Sequence, residues 1–193
     1  PMGTDWYVTE YFAQEVTKEC DVITLPTLPY AYFPAFVEWK GSVSVEAEHF
    51  INYVQDILLS FVRFGVKKFM IIDGGISTHI PLSILSQTMK NKYHVTVAET
   101  DLTGLAYDIE SKVCQQAKGG LADETDTSTM LYLHKELVKM EYTTEEYRTP
   151  LFPNIFQNGR AVAFVGGGMN SPQGSNGNST LATEDKGKAI LED

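Results

Sequence analysis

Residues 73–78 read Asp-Gly-Gly-Ile-Ser-Thr and fall where an apolar stretch, residues 66–72, gives way to a helical pattern. Strand-to-helix turns of this kind are where α/β proteins keep their reactive and binding groups. Within the turn, Asp73 alone carries a group able to ligate a metal firmly or move a proton, and Ser77 adds a hydroxyl. His79 follows in the first turn of the expected helix, where a histidine reads first as a surface or capping residue. Asp5 opens another expected helix, and Glu124 and Asp126 stand two apart ahead of a third. Each placement also suits an ordinary carboxylate compensating a helix N-terminus. Asp73, Asp5 and Glu124 together suffice for a polar pocket and a single weakly held cation.

Other chemistry finds little support. Ser77 and Ser128 have no histidine at a recognisable partner spacing, so no serine nucleophile is indicated. Gly166, Gly167 and Gly168 follow an apolar run but lack the spacing of a phosphate-binding loop. His49, His94 and His134 sit inside regular patterns and read as structural. Cys20 and Cys114 lie far apart without metal-ligand spacing and read as reduced thiols.

The elements that must position these groups alternate between helix and strand. Helical spacing of Tyr7, Tyr11, Phe12 and Val16 predicts a first helix over residues 5–18, with Thr4 as its cap. A short strand is expected at 22–25, then a proline-punctuated loop at 26–39 whose aromatic cluster, Tyr30, Tyr32, Phe33 and Phe36, reads as packing or a subunit contact and could line a pocket. The clearest helix, 44–64, carries Phe50, Val54, Leu58 and Phe61 on one stripe and meets Gly65 as its stop. A strand at 66–72, a helix at 78–92 and a strand at 94–98 give a βαβ rhythm, followed by helices at 103–117 and 127–140. A late strand is expected at 161–165, a polar glycine-rich loop at 166–179 and a terminal helix. The alternation implies an α/β domain, three-layered α/β/α, with a mainly parallel sheet covered on both faces.

The 193 residues, 43% of them hydrophobic, suffice for one domain over the whole length. A net charge of −10 opposes nucleic acid and anionic membrane surfaces as partners, leaving small molecules and proteins. No apolar run is long enough to span a bilayer, and a cytoplasmic protein is expected. The chain opens at Pro1 and stops within a helical pattern, so both ends are expected to continue.

Five blocks in order carry a resemblance to the creatininase (creatinine amidohydrolase) family. PMGTD at 1–5 resembles the end of its opening metal motif, and GSVSV at 41–45 its GTISL. The DGGIST turn resembles an NGHxxN turn, LADETDTSTML at 121–131 resembles HAGExETSxML, and ATEDKG at 182–187 resembles ATxEKG. The resemblance implies a creatininase-like fold, a ring-like hexamer, and a pair of zinc or manganese ions that activate water against a small amide or cyclic amide. Asp5 matches the aspartate that bridges the ions, while Glu124 and Asp126 match, or lie near, acidic residues of the catalytic segment. The expected histidine and second ligand of the turn are Gly75 and Ser77 here, and the substrate-side histidine is Leu121. Asp73, Ser77 and His79 remain as pocket candidates, with His79 a substitute ligand if the turn is re-aimed. The expectation is therefore a divergent creatininase-like protein with a degenerate metal site: a pseudoenzyme, a binding subunit or a homologue of changed chemistry. The alternatives are a metal-dependent amidohydrolase with ligands supplied from elsewhere, and a purely structural role.

Overall fold

The structure is a computed structural model that describes residues 2–102, 104–147, 156–157, 160–161 and 171–192. The chain gathers into two compact units, one of residues 2–33 and 41–108, the other of residues 34–40 and 109–193.

The first unit is built around a βαβ element. Strand β1, Lys68–Asp73, pairs in parallel with β2, Thr96–Asp101, in a register running from Lys68 opposite Thr96 to Asp73 opposite Asp101. Helix α3, His79–Tyr93, makes the crossover after a single 3-10 turn at Ile76–Thr78, and it ends at His94, whose φ of 55° gives the left-handed cap. Helix α2, Ala47–Val62, buries Phe50, Val54 and Leu58 at four-residue spacing, and these pack with Leu82, Leu85 and Met89 of α3 and with Val95 and Val97. Each such side chain taken from water contributes about 1.5–3 kcal/mol, which makes this stripe the anchor of the unit. Gly65, at φ 90°, stops the chain from continuing the helix. Helix α1, Thr4–Glu19, starts after Gly3 at φ 84°, so Thr4 lies inside the helix and Asp5 in its first turn.

The mixed helix and parallel-sheet architecture is the one expected. The strand expected at 22–25 does not form: Val22 and Ile23 are 52% and 82% exposed and have no face to bury.

In the other unit, α5 is Glu124–His134, beginning and ending earlier than its apolar pattern indicates. Asp123 sets the start, since its Oδ1 accepts from the Asp126 amide at 3.0 Å. The helix pattern read at 103–117 is realised as α4, Tyr107–Val113. Two short antiparallel pairs follow, β3 (Glu145–Glu146) with β6 (Gly177–Asn178) and β4 (Phe156–Gln157) with β5 (Arg160–Ala161). Of the strand expected at 161–165, residues 162–165 lie outside the described residues, as do residues 166–170 of the expected loop.

The last helix, α6 (Glu184–Glu192), packs on α5 around Met130, Leu131, Ile190 and Leu191. Gly187 permits that approach: a Cβ there would overlap the carbonyl oxygen of Ser128 and sit 3.0 Å from the Thr129 amide nitrogen. The Ser128 hydroxyl, fully buried, accepts from the Thr183 amide at 3.2 Å and ties the two segments again. Because the obstacle at Gly187 is backbone, Gly187→Ala is expected to destabilise this unit by about 1–3 kcal/mol. A urea melt followed by a probe in this unit checks it, and an unchanged midpoint contradicts the packing described.

Candidate functional site

The register of β1 and β2 sets Asp73 beside Asp101 at the C-terminal ends of two parallel strands, the usual location of sites in open α/β sheets. The chain then turns sharply, and the first residue of α3 returns its side chain to the same place. His79 Nε2 lies 3.3 Å from Asp73 Oδ2 and 3.3 Å from Asp101 Oδ1. Asp73 is buried, and its Oδ1 accepts from the Gly75 amide at 3.2 Å and from the Thr78 hydroxyl at 2.6 Å. Its Oδ2 and the ring Nε2 of His79 are also buried, yet neither meets a partner with hydrogen-bond geometry. Burial raises the Asp73 pKa above the ordinary carboxylate value, against the lowering effect of Thr78, Gly75 and His79.

Asp5 joins this group because of Gly74. A Cβ at Gly74 would run into the Thr9 hydroxyl and come within 3.2 Å of the Asp5 carbonyl oxygen, so glycine lets the first turns of α1 sit directly on the turn after β1. Asp5 is exposed by surface area, although much protein lies close around its carboxyl. Lost solvation first, and the negative charge of Asp73 second, raise its pKa to about 6.

The space beside Gly75 is filled. A Cβ at that position would lie 2.8 Å from two ring carbons of Phe33 and 3.1 Å from the Thr78 hydroxyl. Phe33 is in turn held by its amide, which donates to Ser44 Oγ at 3.0 Å. Ser77 is half-buried in the 3-10 turn.

Glu124 and Asp126, expected near the reaction, are engaged in holding the other unit together. Glu124 is fully buried; its Oε2 accepts from the amides of Gln115 at 2.9 Å and Gln116 at 2.7 Å, and its Oε1 pairs with Lys186 Nζ. Lys186 also donates to the Leu181 carbonyl at 2.8 Å and to Gln115 Oε1 at 3.1 Å. Asp126 Oδ2 accepts from the amide of Ala122, at 2.6 Å, which holds that residue at a left-handed φ of 46°. The segments 121–131 and 182–187 thus meet as a buried ion pair and a glycine contact.

The loop at 26–39 lines a cavity of about 340 Å³ through Leu28, Pro29 and Tyr30, opposite Val45, His49, Phe50 and Tyr53. It is mainly apolar and separate from the carboxylate group. Asp101 is the site residue that motif reading missed. Its signal is the strand register, which pairs it with Asp73, and the notional strand at 94–98 stops short of it.

The family model for creatinine amidohydrolase, Creatininase, matches residues 1–193. The chain belongs to the creatininase family. A 3-dehydro-scyllo-inosose hydrolase from Thermotoga maritima is 26% identical over 214 residues, covering all of this chain and 68% of that protein. A solved creatinine amidohydrolase (creatininase) superposes with a TM-score of 0.79 at 19% identity, covering 99% of this chain and 78% of that one. A manganese form of creatininase gives a TM-score of 0.76 at 17% identity, covering 99% and 79%, and at these identities the likeness shows the fold. A zinc form of a creatininase mutant superposes equally well, with a TM-score of 0.79 at 17% identity, over 99% of this chain and 78% of that one.

Those two creatininases are zinc and manganese forms, and the residues of this chain's turn do not fit a pair of such ions. Gly75 offers neither imidazole nor carboxylate, Ser77 and Thr78 offer only hydroxyls, that of Thr78 already donated to Asp73, the ring of Phe33 occupies the space into which a side chain at 75 would grow, and among the described residues no group of three or more His, Cys, Asp or Glu is arranged to hold a metal ion.

Two outcomes follow from this geometry. Removing the charge that compensates Glu124, by Lys186→Met, is expected to cost about 3–5 kcal/mol, since a buried carboxylate is left without its cation; chemical denaturation measures it. Asp5 has a raised pKa of about 6 when folded, so the folded protein holds the extra proton, and the associated stability is present at low pH and lost as pH rises through about 6. In chelator, Asp5→Asn is expected to melt higher than the natural chain above about pH 7 and to converge with it below about pH 4. A Tm difference that instead grows on acidification contradicts the assignment.

Proposed function

We propose that this creatininase-family protein is a hydrolase of altered chemistry with a degenerate metal site, its reacting centre being the pocket of Asp5, Asp73 and His79. One observation carries the reading: Asp73 Oδ2 and His79 Nε2 are buried side by side without a hydrogen-bonded partner. Leaving a buried polar atom unsatisfied costs about 1–3 kcal/mol, and such atoms concentrate where a ligand or a reaction uses them. Glu124 contrasts with this, because there every carboxylate oxygen has a partner. A purely structural chain has no use for the cost at Asp73.

The substrate class is a small polar molecule with an electrophilic carbonyl, cyclic or linear. The Thermotoga relative, named for hydrolysis of an inosose, supports a family scaffold turned from amides to other carbonyl compounds. Self-association belongs to the same reading, and Ile76, Ile80 and Ile84, at 67%, 67% and 53% exposure, form an apolar stripe suited to a second copy.

A panel of lactams, linear amides and cyclic polyol ketones, assayed on the full natural chain with chelator and with added zinc or manganese, tests the proposal. Turnover that survives chelation and falls at least about 100-fold in Asp73→Asn is expected. Near-stoichiometric zinc or manganese that is lost together with activity in Asp5→Ala overturns it in favour of a metal-dependent amidohydrolase.

A further inference from the structure

His79 is held in an unusual way for a histidine in the first turn of a helix. Its ring is 31% exposed, but Nε2 is the buried nitrogen and lies 3.3 Å from one oxygen of Asp73 and 3.3 Å from one oxygen of Asp101. A lone pair aimed between two carboxylates is repelled by both, whereas an N–H is attracted by both, so the proton of the neutral ring belongs on Nε2. The lone pair then resides on Nδ1. An imidazole lodged between two carboxylates, its tautomer set by their charge without a hydrogen bond, keeps its other nitrogen as the one that can act as a general base. The positioning is rigid: Asp73 is locked by Gly75 and Thr78, and Asp101 is fixed opposite it by the strand register.

We propose that His79 is the proton-transfer residue of this pocket, acting through Nδ1, with Asp73 and Asp101 as positioning residues. The proposal rests on the reading that the pocket is the reacting centre. Nδ1 accepts a proton from water as the water oxygen forms its bond to the substrate carbonyl carbon and the π pair moves to the carbonyl oxygen. When that pair returns, the bond to the leaving atom breaks, and the same proton passes from Nδ1 to the leaving atom. Water is consumed, the ring is regenerated, and no oxidant or co-reactant is required. The inference supplies a proton carrier in a chain that has Leu121 where the resemblance expects a substrate-side histidine.

Two-bond proton–nitrogen correlation spectra of the full chain labelled with nitrogen-15, recorded in alkaline buffer where the rings are neutral, test the geometry without any substrate. His79 is expected to show the Nε2–H tautomer alone, and the double variant Asp73→Asn with Asp101→Asn to show a mixture. An Nδ1–H tautomer in the natural chain, or a tautomer indifferent to both substitutions, overturns the proposal. On whichever panel compound is turned over, His79→Gln is expected to lower kcat by about 10²–10⁴-fold with KM little changed. A locked tautomer with undiminished kcat in His79→Gln overturns the pocket reading and the proposal together. A large loss of kcat with an unlocked tautomer leaves the pocket standing and overturns the proposal alone.

Discussion

The parallel register of β1 and β2 is the constraint on which the site depends. It sets two carboxylates, Asp73 and Asp101, side by side at the strand ends, an arrangement that like charges oppose. The structure answers locally. Thr78 and the Gly75 amide donate to one oxygen of Asp73, and the turn is short enough for His79 to reach between the two side chains. A longer turn would set the ring away from the strand ends, and a bulkier residue at 74 would push α1, and Asp5 with it, away. The same few residues therefore concentrate negative charge and set the His79 ring beside it.

The second unit shows a different use of charge. Glu124 and Lys186 come from segments far apart in sequence and meet where neither has much water. Such a pair stabilises only when its remaining hydrogen-bonding capacity is met, and here the amides of Gln115 and Gln116 and the carbonyl of Leu181 meet it. Gly187 next to Lys186 lets the helices approach closely enough for the pair to form. The segments 121–131 and 182–187 thus specify how α5 and α6 dock.

Much of the first unit could be read from the chain. Phe50, Val54 and Leu58 announce a core helix by spacing alone, and the residues from Val66 to Ala98 announce βαβ, because burial on one stripe or in one strand is a local pattern. What escaped depends on distance in space. Asp101 becomes a site residue through cross-strand register, and Phe33 fills the space beside Gly75 through a loop without periodicity. The carboxylate of Glu124 can be read from residue type, whereas the lysine and two amides that engage it lie 62 and 8–9 residues away. The helix start at Glu124 was missed for a local reason: the cap at Asp123 begins a helix whose first turn is polar.

Phe33 against Gly75 and the His79 ring between Asp73 and Asp101 are the two features on which the proposed function stands. A crystal structure of the full natural chain soaked in manganese, with anomalous data, tests them most directly. The expected result is the Phe33 ring against Gly75, His79 between Asp73 and Asp101, and no pair of anomalous peaks at the turn. Two peaks about 3.5–4 Å apart bridged by Asp5 would contradict it.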